Sequence, residues 1–228
     1  MSEASRRRMR LTLASLDMGA VDRGAAVAMT LTWPATFPGD PREWKRVRGN
    51  FRDRMERAWP DVSGVWRLEM QRRGAPHMHA LLLNVQDLPA FRAWCAVAWS
   101  AVCAGKGSRD PGHEAAGTSA ARVRHWERYA SYIAKQPETM AMVDEETGEV
   151  LSLDGVGRFW GTWGTLPIDR RMVELKADEV FRIRRAIWRY LGWRSRSRRA
   201  GLSAMVPASI TERLITWARG LDGMRAPP

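Results

Sequence analysis

The sequence is short of acid, short of cysteine and free of long apolar runs, and each shortage excludes something. Aspartate and glutamate number 25 against 37 lysines and arginines, a formal charge of +12 on 228 residues. The excess comes mainly from arginine, which pairs with phosphate through forked hydrogen bonds, so an acidic small-molecule enzyme is a poor fit and a polyanion a good one. The only cysteines, Cys95 and Cys103, fall in the helix-like run that begins at Phe91 and read as small core residues rather than a disulfide. No apolar stretch approaches the roughly 20 residues of a membrane-spanning helix, and Ser2 to Arg10 leads into no apolar signal core. A cytoplasmic protein with no membrane partner is the expectation. There is no internal repeat. A phosphate-binding Gly-x-x-x-x-Gly-Lys-Ser/Thr loop is also missing, since Gly105-Lys106-Gly107-Ser108 has no upstream glycine at that spacing, so ATP hydrolysis is not expected.

What is present is Pro-His-Met-His at 76 to 79, inside an otherwise apolar segment. On a strand, side chains two apart share a face, so His77 and His79 can grip one ion. Upstream lies a second strand-like run, Val-Trp-Arg-Leu-Glu-Met-Gln, with Glu69, and Arg72-Arg73-Gly74-Ala75-Pro76 between the two reads as a turn. Folding that hairpin brings Glu69 opposite the imidazoles. Two nitrogens and one hard carboxylate leave coordination positions open, which suits a divalent cation that also holds a phosphate oxygen; zinc fits the ligand types as well. Two histidines on a half-buried strand can equally be hydrogen-bonded and idle, and it is the upstream glutamate and the turn spacing that favour the ion.

Around this hairpin the chain divides into a basic N-terminal arm (1–25), a catalytic-sized domain (26–165) and a helical, basic C-terminal extension (166–228). Ala26 to Trp33 predicts a buried strand. Pro41 to Trp59 predicts a helix, with Trp44, Val47, Phe51, Met55 and Ala58 inward and Lys45, Arg46, Arg48, Arg52, Arg54 and Arg57 on a solvated face. A helix is expected from Leu88 to Val102, a loop with an idle His113 from Gly105 to Ala120, a strand from Ala121 to Trp126 and a short helix from Glu127 to Gln136. Asp144 to Asp154 reads as a hairpin, Gly157 to Gly164 as a tight aromatic strand or turn, and Val173 to Trp193 and Ala208 to Arg219 as helices.

The short helix carries Tyr129-Ala130-Ser131-Tyr132-Ile133-Ala134-Lys135. A tyrosine three residues before a lysine shares its helical face, where an ammonium favours the phenolate over the phenol, whose free pKa is about 10. The apolar side is set by Trp126, Ala130, Ile133 and Ala134. Tyr129 lies nearer that side and reads as packing, whereas Tyr132 and Lys135 lie away from it, Tyr132 as nucleophile.

In this order the residues resemble the HUH endonuclease superfamily, and within it the rolling-circle replication initiators of phages, plasmids and single-stranded DNA viruses. Met29-Thr30-Leu31-Thr32-Trp33 is similar to the first motif, Glu69 with Pro76-His77-Met78-His79 to the metal motif and Tyr132-Ile133-Ala134-Lys135 to the Tyr-x-x-Lys motif. Gly157 to Gly164 is similar to the aromatic, glycine-rich segment of phage-type initiators. The resemblance implies an α+β fold, a central antiparallel sheet of about five strands flanked by helices. It implies that Glu69, His77 and His79 hold Mg2+ or Mn2+, that Tyr132 attacks the DNA to leave a 5′-phosphotyrosine with Lys135 assisting, and that Thr30 and Thr32 meet DNA. Gln71, on the face of Glu69, is a substitute or supporting ligand. Tyr129 and Tyr132 are three apart, not the four of two-tyrosine members, which favours a single nucleophile.

The implied partners are single-stranded or hairpin origin DNA and a bacterial host's helicase and polymerase. In the C-terminal extension, Arg194, Arg196, Arg198 and Arg199 are expected on DNA, while Ile183, Ile187, Trp188 and Leu191 read as a buried helical stripe. A relaxase or single-strand transposase on the same site is the neighbouring alternative. A non-catalytic DNA-binding repressor is the distant one; its binding would be steeply salt-dependent and indifferent to divalent metal.

Overall fold

The computed structural model describes residues 1–17, 19–71, 73–105, 110–134, 155–169, 173–190 and 208–220. By internal contacts the chain forms two units, Met1–Ile168 and Asp169–Pro228.

In the first unit, the alternating Val-Ala-Met-Thr-Leu-Thr run makes strand β1 (Val27–Thr32), burying Val27, Met29 and Leu31 on one face and turning Ala28, Thr30 and Thr32 to the other. Strands β2 (Ser63–Met70) and β3 (Pro76–Leu83) form the expected hairpin, with Glu69 paired to His77 and Arg67 to His79. Its turn closes through Gly74 at φ 76°, a left-handed position that favours glycine. Strand β4 (Thr118–Arg122) pairs with β1 and strand β5 (Trp160–Trp163) with β2, so the open sheet runs β4-β1-β3-β2-β5, antiparallel throughout. This is the α+β, five-stranded arrangement that the sequence implies.

Each face of the sheet has its own helices. Helices α2 (Pro41–Ala58) and α3 (Leu88–Ala104) each start on an aspartate cap followed by proline, and their apolar stripes join the face of Met29, Leu31, Leu68 and Met78 in the main core. Phe51 stands at its centre, edge-on to Trp99 at 5.5 Å and beside Trp163 at 6.0 Å. Cys95 sits in this core with its thiol 3.8 Å from the Met29 sulfur; both cysteines are free, and burial pushes both thiols up from their ordinary pKa. On the opposite face, helix α5 (Trp126–Ala134) lies over β3, and helix α1 (Glu3–Ala14) contacts α5.

Two glycines let strands approach. A Cβ on Gly64 would run into the Leu81 carbonyl, and one on Gly161 would stand 2.8 Å from the Trp66 ring, which lies across the backbone of β5.

Several expectations change. Residues 1–25 are not simply an arm, because Met9 and Leu13 of α1 are fully buried and Ser2 caps that helix. The expected loop from Gly105 to Ala120 holds a short helix α4 (Pro111–Ala116) and the start of β4, and the strand expected at Ala121 to Trp126 lies earlier. Thr-Ser-Ala-Ala-Arg has no apolar alternation; the backbone edge of β1 makes it a strand. Arg48, assigned to the solvated face of α2, is buried over the Trp66 ring at 4.2 Å and donates to the Arg158 carbonyl at 3.2 Å. Burial lowers its pKa to about 10, with Arg52 adding to the effect. Ala58, expected inward, is exposed. The hairpin expected at Asp144 to Asp154 lies outside the described residues.

The second unit contains helices α6 (Ala177–Tyr190) and α7 (Ala208–Ala218), which pack together with Ala186, Leu214 and Ala218 buried. Arg182 donates to the Ala218 carbonyl at 3.3 Å and Arg219 to that of Glu174 at 3.0 Å.

Candidate active site and family

Strand pairing places the chemistry on the sheet face that α5 shares. Thr30 and Thr32 lie opposite His79 and His77 on one side, and Arg67 and Glu69 lie opposite the same two histidines on the other. Six polar side chains from three adjacent central strands thus share one patch. Thr32 Oγ1 is 2.9 Å from His77 Nδ1, and Thr30 Oγ1 is 3.2 Å from His79 Nδ1. The imidazole rings stand edge to face with centroids 4.6 Å apart, and His79 Nε2 lies 3.4 Å from Glu69 Oε2. Gln71 Nε2 reaches within 3.4 Å of His77 Nδ1, while its oxygen accepts from Arg73 Nε at 3.0 Å.

Tyr132 projects from α5 next to this patch, half exposed at 48%, its ring edge-on to His79 with centroids 5.5 Å apart. Tyr129 points inward and donates its hydroxyl to the Ala80 carbonyl at 3.2 Å. Ala130, Ile133 and Ala134 are buried, so the inward side of α5 is the one its periodicity gives. Lys135 lies outside the described residues, as do Arg194, Arg196, Arg198 and Arg199.

One residue was not singled out in the sequence. Arg67 is buried at 2% exposure, ion-pairs Glu69 Oε1 and donates to the Ile133 carbonyl at the end of α5. The signal was present as Arg-Leu-Glu, two positions on one strand face with opposite charge, beneath a strand that otherwise reads as apolar.

Charge follows from these contacts. Burial alone would push the Glu69 carboxyl up, but the bond with His79 and the charges of Arg67, His79 and His77 outweigh it, and its pKa lies below the usual carboxylate range. Burial, reinforced by His79, lowers the His77 imidazole to about 4 against the opposing pull of Glu69. Burial and Glu69 raise the Tyr132 phenol, with Arg67 opposing; burial, Tyr132 and Glu69 raise Tyr129. Within the described residues the phenol of Tyr132 is therefore the favoured form, not the phenolate.

The donor set of Glu69, His77 and His79 suits a divalent ion by chemistry: both Nδ1 atoms face threonine hydroxyls, leaving Nε2 as the ligand atom of each ring. Among the described residues no three His, Cys, Asp or Glu side chains already converge at coordinating distance. One Glu69 oxygen is engaged by Arg67, so closing the set requires side-chain rotation, with the strands already in register.

Comparison with known proteins gives the class first. The chain is 28% identical to the replication-associated protein of Pseudomonas phage Pf3, over 73% of this chain and 60% of that protein. It is 31% identical to a candidate replication protein of Xylella fastidiosa strain 9a5c, over 64% of this chain and 50% of that one. A candidate replication protein of X. fastidiosa strain Temecula1 is also 31% identical, over 68% of this chain and 56% of that one. These are replication proteins of phage and plasmid type. Residues 26–137 match the family of replication-associated proteins of the ORF2 type, and in that region the chain belongs to it. The chain spans between half and three fifths of the length of these relatives. No solved structure matches. Among the described residues no helix is long and apolar enough to cross a membrane.

Proposed function

We propose that this protein initiates rolling-circle replication by nicking and rejoining single-stranded origin DNA, with Tyr132 as nucleophile. The observation that carries the reading is the convergence of Glu69, His77, His79 and a half-exposed Tyr132 on one patch of the sheet, in a chain whose relatives are replication proteins. In the proposed step Tyr132 Oη attacks a backbone phosphorus. The bond from phosphorus to the 3′ oxygen breaks, that oxygen takes up a proton to become the free 3′ hydroxyl, and a 5′-phosphotyrosine remains on the protein. The phenolic proton leaves to solvent or to a neighbouring base. Energy of the phosphodiester is retained for rejoining.

Mg2+ or Mn2+ held by Glu69, His77 and His79 would supply polarisation of the scissile phosphate and stabilise charge developing on its oxygens. The remaining work belongs to the chain. The edge contact of His79 orients the Tyr132 ring, and Arg67 fixes Glu69 while offering positive charge toward the phenol. Lys135, three residues after Tyr132, is the second cation assigned to the phenol in this proposal, and Arg194, Arg196, Arg198 and Arg199 are the proposed strand contacts of the extension.

The test is incubation of the full chain with labelled single-stranded DNA of its replicon, in Mn2+ or in EDTA, comparing wild type with Tyr132→Phe on a denaturing gel. A metal-dependent cut and a protein-DNA adduct, both lost in Tyr132→Phe, are expected. An adduct that persists in Tyr132→Phe moves the nucleophile elsewhere. Binding with no cut anywhere along the replicon replaces the nickase with a DNA-binding repressor.

A further inference from the structure

We infer that Thr30 and Thr32 are positioning residues for a metal site rather than contacts to DNA: each supplies the hydroxyl that holds the Nδ1 side of one histidine so that Nε2 is presented to the ion. The inference rests on the metal reading proposed above and goes beyond it by assigning the two threonines.

The argument begins with strand register. Antiparallel pairing sets Thr30 opposite His79 and Thr32 opposite His77, and directly opposed side chains on one face are within reach of each other. Both hydroxyls use that reach, at 3.2 and 2.9 Å. An imidazole that ligates through Nε2 carries its proton on Nδ1, and that N–H needs an acceptor in a partly buried site. A hydroxyl meets this need, and by rotating it also serves the opposite tautomer, so the ring keeps its place whether or not an ion is bound.

No other contact described at these two nitrogens supplies the acceptor. Gln71 approaches His77 Nδ1 with its amide nitrogen, because its oxygen accepts from Arg73. A second N–H cannot receive the proton of Nδ1, which leaves Thr32. The backbone of Thr32 is itself held firmly: its carbonyl accepts from Trp99 Nε1 and from His113 Nε2, each at 2.7 Å, and its N–H donates to the Gly117 carbonyl at 2.8 Å. His113, which looked idle in the sequence, thereby braces the strand that braces His77.

The experiment uses the full chain and Mn2+ alone, with affinity measured by calorimetry for wild type, Thr30→Val, Thr32→Val, Thr30→Ser, Thr32→Ser and His79→Ala. Valine keeps the β-branched shape and removes the hydroxyl; serine restores it. Each valine variant is expected to bind Mn2+ roughly ten- to a hundred-fold more weakly, each serine variant close to wild type, and single-stranded DNA affinity in EDTA to stay unchanged in all of them. Valine variants that bind Mn2+ like wild type but lose affinity for DNA in EDTA overturn the assignment and make the threonines strand contacts. Wild type without measurable Mn2+ binding, or His79→Ala binding as tightly as wild type, overturns the metal reading itself, an outcome distinct from failure of the threonine assignment.

Discussion

Arg67, on the central strand β2, donates to the backbone carbonyl of Ile133, the residue that follows Tyr132 on α5. The same guanidinium pairs with Glu69. One side chain therefore spans the carboxylate and the end of the helix that carries the tyrosine. Replacing it with methionine removes both bonds and leaves Glu69 without its cation. Loss of such charge-assisted bonds is expected to cost about 2 kcal/mol of stability, read as a lowered midpoint in urea. Adduct formation is expected to fall roughly a hundred-fold through misplacement of Tyr132 with DNA affinity little changed, and Arg67→Lys, which reaches one partner but not both, is expected to lie between.

The two tyrosines separate by exposure. Tyr132→Phe is expected to abolish the covalent adduct while changing stability by no more than about 0.5 kcal/mol, since its hydroxyl is half in solvent. Tyr129→Phe is expected to keep the adduct and to lose about 1 kcal/mol with the bond to Ala80. Gel assays and urea melts of the pair check both statements, and the opposite pattern would exchange their roles.

Much of this was readable in the chain. The hairpin of Glu69, His77 and His79 follows from period-two spacing across a glycine turn, and the inward side of α5 follows from Ala130, Ile133 and Ala134. What escaped has a common cause: charged residues were assigned to solvent. Met9 and Leu13 are spaced for a buried helix, yet Arg6, Arg7, Arg8 and Arg10 around them suggested an arm. Arg48 and Arg67 are buried because an indole face and a carboxylate receive them, partners that lie far along the sequence or on a strand face the apolar pattern hides. Strand β4 carries no local signal, being formed by the edge it completes.

Strand spacing at Gly161 is set by Trp66. Gly161→Val is expected to push the indole aside and to cost about 1–3 kcal/mol, as overpacking does, seen as a lowered melting temperature. Gly64→Ala, whose new methyl meets the Leu81 carbonyl rather than a movable side chain, is expected to be at least as damaging. Wild-type melting of both variants would show that the strands can separate without penalty.

Thiol chemistry offers a check on the core. The raised pKa of Cys95 and Cys103 keeps thiolate scarce at neutral pH, and Cys95 is also closed to reagent. Ellman's reagent is expected to leave Cys95 unmodified in the native protein and to titrate both thiols in guanidinium without prior reduction. Rapid native labelling of Cys95 would contradict the packing described for α3.

The order of strands has a consequence for how the protein breathes. Thr30, Thr32, Arg67, Glu69, His77 and His79 sit on β1, β2 and β3, while the sheet ends in the short strands β4 and β5. Fraying begins at edges, where local opening needs little free energy, and amides of interior strands exchange with solvent only through larger openings. In a deuterium exchange series the two rims would therefore label early and the three strands beneath the patch late, so the groups that must meet a DNA strand are mounted on the part of the sheet that opens least often.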